Sequence, residues 1–248
     1  MIFNKFFILF KIGRKIGKSN IINIVSETHK IPVFIKIFFN LLAFSFSSSK
    51  DTKSKENLSA SIQEMGTTFI KLGQFLATRP DIIGEKLSKE LVSLQDKLPP
   101  FSKKEAEKII IENLGQSNFD DIIDLSDPIA AASIAQVHKA KIKEDNTIKN
   151  VAIKVLRPNI KKIFNEEIDA IMLLAYIVES LITKTKRLKL IEVVFLFKEI
   201  TNHEMDLRFE AAAANEYAEN TKNDLGFFVP KIYWNFTSES VLTLDWVD

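Results

Sequence analysis

Apolar positions recur at helical spacing through the first half of the chain, and the period changes near residue 129. Leu58, Ile62, Met65, Phe69, Leu72 and Leu76 fall three or four residues apart, which places them on one face of a helix. The stripe predicts a single helix of about five turns, ended by Arg79-Pro80-Asp81. A second helix is expected from about Ile83 to Leu94, stopping before Leu98-Pro99-Pro100, because proline cannot continue a helix. Ser102-Lys103-Lys104-Glu105 reads as a capping box that opens a helix through about Leu114, with Gly115 as its C-cap. From Ile129 alternation takes over. Ala135 to Ile142 and Asn150 to Leu156 read as two strands joined by a charged turn around Glu144-Asp145-Asn146. Helices are predicted from Lys161 to Thr183 and from Leu190 to Lys222, then a second strand pair, Val229 to Trp234 and Ser240 to Asp245. The order of helices, hairpin, helices and hairpin describes an α+β body behind a helical preface.

The first fifty residues follow a different pattern. Phe3, Phe6, Phe7, Phe10 and Ile12 are interleaved with Lys5, Lys11, Arg14, Lys15 and Lys18, and a second apolar stretch over 31–46 is interrupted by Lys36 and Asn40. Neither offers eighteen uninterrupted apolar residues, so no spanning helix is expected. The bases follow the apolar segment instead of leading it, which does not fit a signal peptide. Residues 1–50 carry eight bases against one acid, while the whole chain is only +2, so a basic head sits on a net acidic body. Two readings stay open: an amphipathic segment lying on an anionic membrane surface, or helices packed on the body with a charged outer face. No base-reading motif accompanies the charge, and no nucleic-acid partner is expected. The polar, serine-rich stretch 45–55 is the best linker candidate. The motifs divide the chain into 1–50, a helical extension over 56–127 and a mixed body over 128–248.

At 248 residues, with 46% hydrophobic and 27% charged positions, the chain is long enough for one or two domains with a real core. It has no cysteine, which excludes disulfides, thiolate metal sites and cysteine nucleophiles and fits a cytosolic setting. His29, His138 and His203 are far apart, without the spacing of a histidine zinc site.

Four motifs carry candidate chemistry. Val151-Ala152-Ile153-Lys154 ends a predicted strand, the placement that aims a lysine at nucleotide α- and β-phosphates in protein kinases. Upstream, Ala130, Ala132 and Ala135 occupy the offsets of a kinase glycine loop, within Ala130-Ala131-Ala132-Ser133-Ile134-Ala135-Gln136-Val137. Each alanine adds a Cβ that disfavours positive φ, so such a turn should be stiffer than a glycine loop. Lys71 and Gln74, in Thr68-Phe69-Ile70-Lys71-Leu72-Gly73-Gln74, stand three apart and share a helix face, and the mid-helix Gly73 points to close packing. Glu204, Asp206 and Glu210 lie in the last predicted helix, followed by Ala211, Ala212, Ala213 and Ala214. A carboxylate there could hold Lys154, as a helix glutamate does in kinases.

Taken together and in order, F-I-K-L-G-Q-F-L-A-T-R-P-D, A-A-A-S-I-A-Q-V-H, V-A-I-K-V-L-R-P and E-M-D-x-x-x-E-A resemble the UbiB family of atypical kinase-like proteins from about Leu58 to the last residue. One departure is that Asn215 comes two residues later than the family pattern, and it takes no role. The resemblance implies a protein-kinase-like N-lobe with an N-terminal helical extension that carries Lys71 and Gln74 over a nucleotide site. Lys154 would then pair with Glu210 and hold ATP or ADP, and Lys71 would face Glu204 or Asp206. The turn residues Ala130, Ala131, Ala132, Ser133, Ala135 and Val137 would cover the nucleotide. It also implies a role in ubiquinone biosynthesis, with a polyprenyl-phenol lipid or other ubiquinone-synthesis proteins as partners. The expected location is cytoplasmic, peripheral on the inner face of the cell membrane.

No H-x-D or D-F-G string occurs in these residues. The groups that hold Mg and position the nucleophile in a complete family member are therefore not expected here. The chain is expected to lack the C-lobe, as a truncated product, an incompletely predicted gene, or one piece of a split protein completed by a second chain. Alone it is expected to be inactive. The alternative function is a non-catalytic N-lobe module that binds membrane or a partner.

Overall fold

The computed structural model describes residues 8, 10–15, 58–94, 98–145, 147–181 and 183–247. Along the chain run α1 (Leu58–Met65), α2 (Thr67–Ala77), α3 (Pro80–Ile83), α4 (Glu85–Val92), α5 (Lys103–Leu114) and α6 (Gln116–Asp120). Then come β1 (Ile122–Ile123), β2 (Pro128–Ala131), β3 (Ala135–Glu144) and β4 (Thr147–Leu156). The chain continues through α7 (Ile160–Leu181), α8 (Leu190–Glu204), α9 (Leu207–Thr221) and β5 (Val241–Asp245). These elements form two compact units, one from Met1–Asp96 with Lys162–Glu199, the other from Lys97–Lys161 with Ile200–Asp248. Compactness thus divides the chain discontinuously, whereas the motifs divide it into consecutive blocks.

The first unit is helical. The predicted single stripe of 58–76 is two helices, because Gly66 between them adopts φ 101°, which only glycine reaches at little cost. Gly84 does the same between α3 and α4 at φ 82°. Buried serine hydroxyls tie the turns together: Ser88 Oγ donates to Ala77 O (2.5 Å) and Ser59 Oγ to Glu90 O (2.8 Å). Gly73 is a point of close approach, since a Cβ there would lie 3.3 Å from Leu94 Cδ1 and 3.4 Å from Ile62 Cγ2. Phe164 of α7 meets Phe197 of α8 edge-on at 5.6 Å. The described part of the basic head, the helical stretch 10–15, packs within this unit. Ile12 is 2% exposed, and Lys15 Nζ donates to Met65 O (2.8 Å) and lies 3.4 Å from Glu167. The second apolar stretch, 31–46, and the linker candidate, 45–55, lie outside the described residues. Among the described residues no helix is long and apolar enough to cross a membrane.

The second unit is an antiparallel sheet backed by α5. The order is β1-β3-β4-β5, with β2 also paired to β3, so β1 and β2 border opposite ends of one long strand. The β3–β4 hairpin is in register from Ala135↔Leu156 to Glu144↔Thr147, and Asp145 takes φ 47° in its turn. The capping box forms as predicted, with Ser102 Oγ accepting from Glu105 N (3.3 Å) and the Glu105 carboxylate accepting from Ser102 N (3.2 Å). The core lies between α5 and one sheet face, where Ala106 and Ile110 meet Ala140, Ile142, Val151 and Ile153.

Two predicted elements are corrected. The helix expected from Leu190 to Lys222 breaks at Met205–Asp206, so Glu204 closes α8 and Glu210 falls in the first turn of α9. The break is made by Asp206, whose backbone is extended (φ −121°, ψ 97°) and whose side chain accepts from Arg208 N as the N-cap. The strand expected at Val229 to Trp234 reduces to one bridge, Ile232↔Leu244, and Trp234–Phe236 coils into a 3₁₀ turn. Pro230 has no N–H to offer a ladder, and the ring of Tyr233 is instead buried, with its hydroxyl donating to Asp245 Oδ1 at 2.5 Å.

Candidate nucleotide site

Alternation along β4 separates structure from chemistry. Val151, Ile153 and Val155 enter the core, which leaves Ala152 and Lys154 on the opposite face. Directly paired residues of antiparallel strands share a face. Lys154 is paired with Val137 of β3 and Leu242 of β5, and Ala152 with Lys139 and Leu244. Val137, Ala152 and Leu244 therefore surround the lysine with a small, partly buried apolar surface.

Lys154 Nζ donates to both oxygens of Glu210, at 3.0 Å to Oε1 and 2.7 Å to Oε2. Glu210 lies in the first turn of α9, so the helix that carries it must be held at its start. Asp206 caps that start and grips Arg208 through two further contacts, Nε to Oδ1 at 2.9 Å and Nη2 to Oδ2 at 2.6 Å. This Arg208 hydrogen bonding holds the Asp206 carboxyl below its ordinary range. Leu207 N donates to Glu239 O (3.0 Å), and the Glu239 carboxylate pairs with Lys161. Glu204 is on the preceding helix, on the far side of the break.

The alanine turn is a tight end to the β2–β3 pair. Ala130 and Ala131 pair with Val137 and Gln136, Ala132 N donates to Ala135 O at 2.8 Å, and Ser133 is fully buried. Among the described residues, positive φ occurs at Asp124, Asp145, Asn159, Lys189 and three glycines, none of them in 130–137. This turn is built from backbone conformations that alanine adopts freely, which is why it forms without glycine.

Lys71 and Gln74 are on α2 in the first unit, both partly buried. Lys154, Glu204, Asp206, Glu210 and 130–137 belong to the second unit. Among the described residues no three His, Cys, Asp or Glu side chains come together as a metal site.

Three residues that the motifs contain without a role hold the turn and its neighbouring strand in place. Gln136 is 1% exposed and uses its amide completely. Its Oε1 accepts from Phe101 N (2.9 Å), while Nε2 donates to Phe101 O (3.2 Å) and faces His138 Nε2 (2.9 Å). That orientation makes His138 Nε2 the acceptor, so the Nδ1–H donates to Ser126 O at 2.8 Å. The third is Arg157, whose guanidinium donates to Ala132 O. The available signal was polar Gln136 and His138 at alternate positions of a strand whose partners at Ala140 and Ile142 face inward.

Burial pushes the His138 imidazole below its ordinary value, outweighing the Ser126 carbonyl. The unfolded chain then takes up this proton first, near pH ~6.5, and stability present above that pH is lost as the pH falls toward the lower folded value. Thermal melts from pH 8 to 5 should show this loss, and a His138→Asn protein should show a shallower slope over the same window. Equal slopes would contradict the assignment.

A lysine on a strand of an antiparallel sheet, held by a glutamate in the first turn of a capped helix, is the arrangement of a kinase-like nucleotide lobe. Residues 93–248 match the ABC1 atypical kinase-like domain, and the chain belongs to that family. It is similar to a probable protein kinase UbiB of Marinobacter nauticus, 34% identical over 217 residues that cover 87% of this chain and 39% of that protein. It also resembles a probable protein kinase UbiB of Azotobacter vinelandii (36% identical, 76% of this chain, 35% of that protein). A third, from Pseudomonas paraeruginosa, is 30% identical over 96% of this chain and 44% of its own length. The chain thus spans less than half the length of these relatives.

Proposed function

We propose that this chain forms the nucleotide-holding part of a UbiB-type atypical kinase or ATPase-like factor that supports ubiquinone biosynthesis at a membrane. The bidentate Lys154–Glu210 contact carries the reading. Glu210 orients the ammonium, and Lys154 meets the α- and β-phosphates of ATP or ADP. Val137, Ala152 and Leu244 offer an apolar bed for the base, and the alanine turn covers the phosphates. Lys71 and Gln74, on α2, are proposed in the roles that the family resemblance gives them. No magnesium ligand is proposed among the described residues, where no three His, Cys, Asp or Glu side chains come together. The basic residues of the head support peripheral contact with an anionic leaflet, although Lys15 spends its charge on Met65 O and Glu167 within its own unit. A polyprenyl-phenol lipid is the substrate class that accompanies this reading.

A second reading, a partner-binding module without turnover, is favoured by exposed aromatic side chains on and after α9. Phe209, Tyr217, Phe227 and Phe228 are all about half exposed or more, with Tyr217 and Phe227 in edge contact at 5.8 Å, and exposed aromatics of this kind suit a protein partner. Titration of the chain with a fluorescent ADP analogue separates the two. The first reading expects saturable binding displaced by unlabelled ATP, and absence of any saturable signal, with or without magnesium, would overturn it.

A further inference from the structure

One guanidinium organises the alanine turn. Arg157 lies three residues beyond Lys154, past the end of β4. Its Nε and Nη2 both donate to Ala132 O (3.0 and 2.8 Å), Nη1 donates to Pro99 O (3.0 Å), and Nη2 also reaches Leu98 O (3.4 Å). Its backbone N–H donates to Ile134 O at 2.8 Å, so main chain and side chain of one residue hold both sides of the turn. The guanidinium carbon is 5.9 Å from the Phe101 ring centroid, and the Phe101 backbone is itself held by the Gln136 amide. Leu98-Pro99-Pro100-Phe101 is therefore a strap tied to the turn by two side chains, and its two prolines, with φ fixed, leave it little slack.

We propose that Arg157 is a positioning residue that locks the alanine turn in one conformation, with 98–101 as its strap. A kinase glycine loop flexes over the phosphates, whereas this turn is held from outside by charge-assisted hydrogen bonds. The nucleotide then meets a preformed roof and loses less ordering entropy on binding, and release becomes slow because the roof does not open on its own. Lysine cannot replace the arginine, because one ammonium lacks the planar fork that spans three carbonyls. The consequence for nucleotide rests on the proposed function, whereas the lock itself does not.

Two readouts keep the two apart. In the nucleotide-free protein, amide hydrogen exchange across 130–136 should be about tenfold faster in Arg157→Lys, with exchange in α5 unchanged. Pro100→Gly, which loosens the strap and leaves Arg157 in place, should accelerate the same amides. Unchanged exchange in the turn, or equal acceleration throughout the second unit, would overturn the lock. In stopped-flow displacement of a fluorescent ADP analogue, Arg157→Lys should release it about tenfold faster at an unaltered association rate, and equal release would overturn the positioning role. If the native chain binds no analogue, the nucleotide reading fails while hydrogen exchange still decides the lock.

Discussion

Lys154→Ala should weaken the proposed ADP binding by about 10- to 100-fold, as expected when a charged donor to phosphate, worth about 1.5–3 kcal/mol, is removed. The same change should leave folding almost untouched. The Lys154 side chain is 27% exposed and Glu210 50% exposed, so their attraction is well screened, and such pairs contribute about 0–1 kcal/mol. Affinity and stability are thus predicted to separate. Glu210→Gln should give a smaller loss of affinity, because the amide still holds the ammonium on one side but no longer balances its charge. Binding titrations alongside urea unfolding of each variant check both halves. Equal ADP affinity in native and Lys154→Ala proteins would remove Lys154 from the nucleotide site.

The neighbouring residue should behave in the opposite way. Ile153 is fully buried between the sheet and α5, in contact with the cluster that holds Ile110, Ile142 and Val241. Ile153→Ala should cost about 2–5 kcal/mol, the transfer loss plus the cavity it leaves, a large share of the ~5–15 kcal/mol that keeps a domain folded. Urea midpoints give the loss directly. An effect below about 1 kcal/mol would mean that the core is not where alternation along β4 puts it. Two consecutive residues, one decisive for stability and the other for binding, follow from the two-residue period of a strand.

Features that depend on local chemistry were readable in the sequence. The capping box of α5 uses atoms three residues apart, the β3–β4 hairpin declares itself by alternation around a charged turn, and Lys154 follows from strand phase. The departures have local causes that pattern reading weighs too lightly. An apolar stripe continues across Gly66, so periodicity passes over a break that only the backbone conformation of glycine reveals. Helical spacing likewise runs through Asp206, although a side chain able to cap a helix competes with the helix interior there. The approach of Arg157 to Ala132 and of Gln136 to Phe101 joins residues 25 and 35 apart in sequence. Distances of that kind are set by the closure of the whole sheet, and no spacing rule encodes them. The segment 98–101 therefore reads in the sequence as a simple stop between helices, whereas its carbonyls hold Arg157 and its Phe101 backbone holds Gln136.

Lys154 is proposed to lie against the phosphates of a bound nucleotide. An acyl phosphate of ADP or ATP tests it most directly, because the amine beside the phosphates attacks the acyl carbonyl, forms an amide and releases the nucleotide. Peptide mass spectrometry then identifies the acylated lysine. Preferential labelling of Lys154, suppressed by excess ADP, is expected over the more exposed Lys89 and Lys108, whose side chains are 80% and 75% accessible. Labelling that follows exposure alone and ignores added ADP would contradict it.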